Sequence, residues 1–136
     1  MFIYIGIASA APSIQIENAW ARSTVPGQTV SSGYMTLINN GPTADRLLSV
    51  SASWTGMIEI HHTSMDGGVM RMREVPGGVP IPANSRVELK PRGMHLMLMQ
   101  IAAPLEAGRS IPLLLQFEKA GAVKISLRVE AVGQPP

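Results

Sequence analysis

The chain has 136 residues, a formal net charge of +2 and no cysteine. That length supports one domain around one core, and 46% hydrophobic against 15% charged residues excludes a disordered chain. Its basic residues form no cluster, so nucleic acid is not expected as a partner. Without a thiolate, a blue-copper centre, thiol redox catalysis and Cys-ligated zinc are excluded as well.

The first ten residues, Met1-Phe2-Ile3-Tyr4-Ile5-Gly6-Ile7-Ala8-Ser9-Ala10, are a short apolar run ending in small residues. Ala8-Ser9-Ala10 fits the small-x-small pattern before a signal-peptidase cut, although the usual positive start is missing. We read 1–10 as the remnant of an export signal, against a first strand or a tail, and 11–136 as a single β domain. No other segment has the 18 or more apolar residues of a membrane span. Any membrane contact is therefore expected only through the N-terminal segment.

From residue 14 onward, short β-branched or alternating runs follow one another at 14–22, 33–39, 46–52, 57–63, 69–75, 86–90, 95–101, 111–118 and 122–130. Between them stand turn signals: Pro26-Gly27, Asn39-Asn40-Gly41-Pro42, Asp66-Gly67-Gly68, Pro76-Gly77-Gly78 and Ala107-Gly108. Many short strands at such spacing predict an all-β sandwich or barrel. Eleven prolines and thirteen glycines argue against long helices. Gly133-Gln134-Pro135-Pro136 reads as a frayed end.

The chemistry concentrates in two His/Met sets. In Met94-His95-Leu96-Met97-Leu98-Met99, strand alternation puts His95, Met97 and Met99 on one face and Met94, Leu96 and Leu98 on the other. In 69–73 it groups Met70 with Met72, opposite Arg71 and Arg73. In 59–62 it groups His61 with Glu59, and His62 with Ile60. A hairpin at Asp66-Gly67-Gly68 brings His61 and Met72 within reach of each other. Imidazole and thioether form a soft, uncharged ligand set, which favours monovalent copper over hard cations. Any one such methionine, or a lone strand histidine, is more often packing than ligand. The case rests on two sets at strand-compatible spacing.

Glu59-Ile60-His61, Gly68-Val69-Met70-Arg71-Met72-Arg73 and Leu89-Lys90-Pro91-Arg92-Gly93-Met94-His95-Leu96-Met97-Leu98 together resemble the PCu(A)C-type periplasmic copper chaperones. Ten residues lie between His61 and Met72, as in that family, and twenty-two between Met72 and His95, one more than usual. The extra residue is placed in the loop over 76–84, where an insertion costs little. Trp20-Ala21-Arg22, Gly33-Tyr34-Met35, Asn39-Asn40-Gly41, Asp45-Arg46-Leu47 and 113–118 add supporting similarity.

The resemblance implies a cupredoxin-like Greek-key β-barrel or sandwich that binds Cu(I) through His61, Met72, His95 and Met97. It further implies a periplasmic or otherwise exported monomer that delivers copper toward the dinuclear copper site of cytochrome c oxidase. The acceptor would be subunit II of that enzyme or a thiol-bearing assembly factor. Some members carry a His- and Met-rich C-terminal extension; this sequence has none, so a second copper site there is not expected.

Because imidazole binds metal only when deprotonated, affinity is expected to fall as pH drops through the ordinary histidine range near about 6.5. Among the remaining residues, Met99 is read as core, His62 as pointing away, Met65 as an accessory contact or surface, and Trp54 and Met57 as candidates to cover the site. Two alternatives stand beside the carrier, which catalyses nothing. One is a small zinc hydrolase on His61, His95 and Glu59, disfavoured because thioether is a poor zinc ligand. The other is a β-sandwich interaction module whose methionines only pack.

Overall fold

The glycine, proline and asparagine punctuation delimits ten strands in the computed structural model, which describes residues 13–131. They are β1 (Ile14–Arg22), β2 (Ser31–Asn39), β3 (Asp45–Ser51), β4 (Thr55–Asp66), β5 (Val69–Glu74), β6 (Val79–Ile81), β7 (Ser85–Leu89), β8 (Met94–Ile101), β9 (Ser110–Phe117) and β10 (Gly121–Glu130). No helix occurs among the described residues. The stretch read as an export remnant and the C-terminal end from 132 lie outside them.

Hydrogen bonds order the strands β5-β4-β8-β2-β1-β10-β9-β3-β6, with β7 paired to the far half of β2. β1 runs parallel to β10, and the other pairings are antiparallel. Neighbours distant in sequence, such as β4 with β8 and β3 with β9, are joined by crossings of the Greek-key kind. The strand path is not closed by hydrogen bonds among the described residues; β5 and β6 are its two ends. A single apolar cluster nevertheless draws on every strand except β5, including Leu37, Leu47, Ile60, Leu96, Leu115 and Leu127. One cluster fed from so many strands requires the sheet to wrap around it.

Two local features depart from the sequence reading. The segment over 76–84 is not a free loop: β6 pairs with β3, Asp45 opposite Ile81 and Leu47 opposite Val79. Val79 and Ile81 are fully buried while Pro80 faces outward. Proline is tolerated there because β6 is an edge strand. The other is a bulge in β1 between Glu17 and Trp20, with Asn18 at φ 52°. Asparagine accepts that left-handed conformation more readily than most residues, and the shift sets Trp20 directly opposite Tyr34 on β2.

The end of the sheet that matters most is β5-β4-β8. β4 and β5 form a hairpin with Asp66 paired to Val69 across Gly67 and Gly68, both at positive φ. Glycine supplies both conformations at little steric cost. On β8, Leu96 and Leu98 point into the core together with Ile60 of β4. That fixes the opposite parity, His95 and Met97, on the outer face.

Candidate metal centre

Register alone decides which side chains share that outer face. On β4 and β8, His61 stands opposite His95, Glu59 opposite Met97 and Met57 opposite Met99. On β4 and β5, Thr63 stands opposite Met72 and Met65 opposite Met70. Cross-strand partners in an antiparallel ladder project to the same side, as do residues two apart along a strand. His61, His95 and Met97 therefore sit together, and Met72 lies diagonal to His61, one row along. The structure thus brings onto one surface all four residues singled out in the sequence.

The two imidazoles are close, with ring centroids 6.1 Å apart, and each is fixed through one nitrogen only. His61 Nε2 lies 2.9 Å from Glu59 Oε1. A carboxylate can only accept there, so this contact selects the tautomer protonated at Nε2 and leaves the Nδ1 lone pair available. His95 Nδ1 lies 3.1 Å from the carbonyl oxygen of Gly93, which likewise must accept and leaves Nε2 as the lone-pair nitrogen. The two remaining atoms, His61 Nδ1 and His95 Nε2, are buried and have no hydrogen-bond partner among the described residues. Two orphaned buried lone pairs are costly unless something electron-poor fills the gap. A carboxylate or carbonyl on the far nitrogen is the usual way a protein orients a metal-binding imidazole.

The Gly93 carbonyl is delivered by the turn between β7 and β8. Gly93 N–H donates to Lys90 O at 3.0 Å, with Pro91 and Arg92 between them and Arg92 at φ 70°. This fits a type II turn, in which proline favours the first central position and a positive φ occupies the second. The same carbonyl accepts from Thr63 N–H at 3.3 Å, tying the turn to β4.

His95 is 4% exposed, and its cover comes from β2 and β1. The Tyr34 ring lies 6.4 Å from it, and Trp20 stacks behind Tyr34 at 4.6 Å. The Arg22 guanidinium sits over both rings, at 5.5 Å and 5.6 Å, and Nε donates to the Tyr34 hydroxyl at 3.3 Å. Such a stack holds Tyr34 in place beside the histidine. In the sequence, Trp20, Arg22 and Tyr34 carry only supporting similarity. Alternation on β1, with Trp20 and Arg22 of one parity, was the signal that could have found them.

The other residues fall as follows. Met97 is half-buried and Met72 is 52% exposed, so the candidate centre opens toward the hairpin. Met99 is not in the core; it shares the outer face with exposed Met57, because its parity is that of Met97. His62 is exposed on the other parity, opposite Met94 and Arg73. Trp54 does not cover the centre. Its Nε1 donates to Pro112 O on β9 at 2.6 Å, and the ring packs on the core. Glu59 is turned to the protonated nitrogen of His61, and no group of three or more His, Cys, Asp or Glu that could hold a metal occurs among the described residues.

Three comparisons bear on this geometry. Residues 14–129 match the family described as "Putative lipoprotein LpqE-like". A protein of Leifsonia xyli subsp. xyli named "Putative lipoprotein Lxx21020" is 31% identical over 120 residues, which is 88% of this chain and 71% of that protein. Among solved structures, the copper-bound PCuAC domain from PmoF2 superposes with a TM-score of 0.74 at 30% identity, covering 90% of this chain and 96% of that domain. The solution structure of CuI-DR1885 from Deinococcus radiodurans gives a TM-score of 0.72 at 23% identity over 94% of this chain and 85% of that one, a likeness of fold. The cupredoxin-like all-β expectation is met by both structures.

Proposed function

This chain belongs to the LpqE-like family, and from that premise we propose that it is an exported Cu(I) carrier that holds the ion with His61, Met72, His95 and Met97. The observation that carries the reading is the pair of buried, unpartnered imidazole nitrogens on rings 6.1 Å apart. Their second nitrogens are occupied by Glu59 and Gly93, so both lone pairs are free for one ion. Met97, two residues from His95, and Met72, diagonal to His61, supply thioethers on the same side. That donor set is neutral and soft, suited to Cu(I) and poorly suited to zinc, magnesium or calcium. The copper-bound PmoF2 domain supports the choice of metal.

Such a centre suits transfer. Neutral ligands leave the ion its full charge, and the exposed Met72 gives an acceptor a way in. A thiolate acceptor binds Cu(I) more strongly, so the hand-over runs downhill. We assign delivery toward the dinuclear copper site of cytochrome c oxidase, through subunit II or a thiol-bearing assembly factor, as the destination. Export is supported by the lipoprotein description of the matched family and of the Leifsonia relative, together with the apolar run over 1–10; the periplasm is the compartment proposed.

Anaerobic Cu(I) competition binding tests the assignment. Met97→Leu conserves volume and removes the thioether, so the fold should survive while affinity falls on the order of tenfold or more, about 1.4 kcal/mol. Zinc should not compete for the wild-type centre. Unchanged affinity in Met97→Leu would remove that residue from the ligand set.

A further inference from the structure

The outer face of β5-β4-β8 carries more sulfur than four-coordinate binding uses. Of the nine methionines in the sequence, Met57, Met65, Met70, Met72, Met97 and Met99 all project from it, by the register of β4 with β5 and β8. Large apolar side chains on an edge hairpin are ordinarily turned inward or replaced by charge. Here Met65, Met70 and Met72 are 64%, 55% and 52% exposed, clustered at one end of the hairpin. They contribute nothing to the core cluster, so packing does not account for them.

Their spacing suits a common ligand. Met65 is directly opposite Met70, which sets the Cβ atoms about 5 Å apart. Met70 and Met72 are two apart on β5, about 7 Å along the strand. Met72 is partnered with Thr63, which makes it the diagonal neighbour of Met65, about 7–8 Å away. Three flexible thioether side chains rooted at these positions reach a shared point above the hairpin.

We infer that Met65, Met70 and Met72 form a second, outer site for a soft monovalent ion, Cu(I) or Ag(I), which shares Met72 with the inner histidine centre. Three neutral sulfurs without imidazole make it weaker and more open than the inner site. Met72 belongs to both, so an ion held outside reaches His61 by exchanging ligands rather than by crossing water. The outer site is thus an entry and exit step for the carrier proposed above and rests on that reading for its purpose. Its ability to bind depends only on the three thioethers.

The test is an anaerobic titration of the full chain, labelled at the methionine methyl carbons, with Ag(I) as a closed-shell probe and then Cu(I). The first equivalent should shift the Met72 and Met97 methyl signals, and the second should shift Met65 and Met70. In Met65→Leu/Met70→Leu the bound metal should drop from two equivalents to one while the first step is unchanged. Both substitutions lie on exposed positions, and the buried Met35 methyl reports that the fold is intact. If Met65 and Met70 stay unmoved through several equivalents while Met97 responds, the outer site is wrong and the carrier stands. If Met65 and Met70 respond while Met97 does not, the inner centre is wrong and the outer site stands.

Discussion

At the scale of single residues, the sharpest feature is the division of labour between the two nitrogens of each histidine. His95 is oriented by a backbone carbonyl, which no substitution of side chain removes. His61 depends on the Glu59 carboxylate, a contact 2.9 Å long with the glutamate 30% exposed. In the proposed centre Glu59 is therefore a positioning residue rather than a ligand, and substitution separates these roles. Glu59→Gln keeps an acceptor for the Nε2 proton, so the tautomer and the Cu(I) affinity should stay near wild type. Glu59→Ala frees the ring, and affinity should fall about 10–100-fold, as for other partners that orient a metal-binding histidine. Nitrogen-15 shifts of the metal-free protein read the tautomer directly, without any copper bound. An His61 ring that keeps its Nε2 proton in Glu59→Ala would show that the carboxylate does not set the tautomer.

At the scale of elements, strand existence was legible because each run alternates and each turn carries its own residue chemistry. Alternation marks β1 at its full extent and nine of the ten strands to within three residues at each end, the largest difference being β4, which runs on through Asp66. What it lost was β6. Three residues with a central proline carry no usable alternation, and Pro76-Gly77-Gly78 before them and Pro82-Ala83-Asn84 after them read as loop. The strand exists because Val79 and Ile81 complete the core beside Leu47, a tertiary demand with no local signature. The turn at Gly78 makes that demand testable. Gly78 has φ +89°, and a Cβ there would run into the Leu47 carbonyl oxygen; Gly77 has φ +77° with nothing nearby. Gly77→Ala should cost only the left-handed strain of about 1–2 kcal/mol. Gly78→Ala should cost more, roughly 3 kcal/mol, since backbone must also shift. Urea midpoints measure both. Equal losses would mean that β6 does not sit tightly against β3. Cu(I) affinity should be unchanged in each, because β6 is at the opposite end of the strand order from the metal face.

At the scale of the whole molecule, the candidate ligands were legible in the sequence because strand parity is a local rule, but their convergence was not. It depends on β4 lying between β5 and β8, a pairing that joins residues more than thirty positions apart. In the proposed centre, that arrangement ties the ion to an exposed edge of the fold. All six residues of β5 are exposed, and it adds nothing to the core, so in the metal-free protein its backbone is tied to the body through its ladder to β4. Strands of that kind open locally at low free energy, while β9, with Leu113, Leu115 and Phe117 buried, opens only with the whole domain. An ion held by Met72 as well as by β4 and β8 clamps β5 to the body. A ligand at about 100 times its dissociation constant stabilises the bound form by roughly 2.7 kcal/mol, about a hundredfold in opening. With one equivalent of Cu(I) bound, amide hydrogen exchange over 69–74 should therefore slow from well above that of β9 toward the rate of β4. In Met72→Leu the histidines and Met97 should still hold copper, more weakly, and the exchange of β5 should stay fast. Slowing of β5 in that variant as large as in the wild type would mean that Met72 does not bind the ion and that the clamp is made without it.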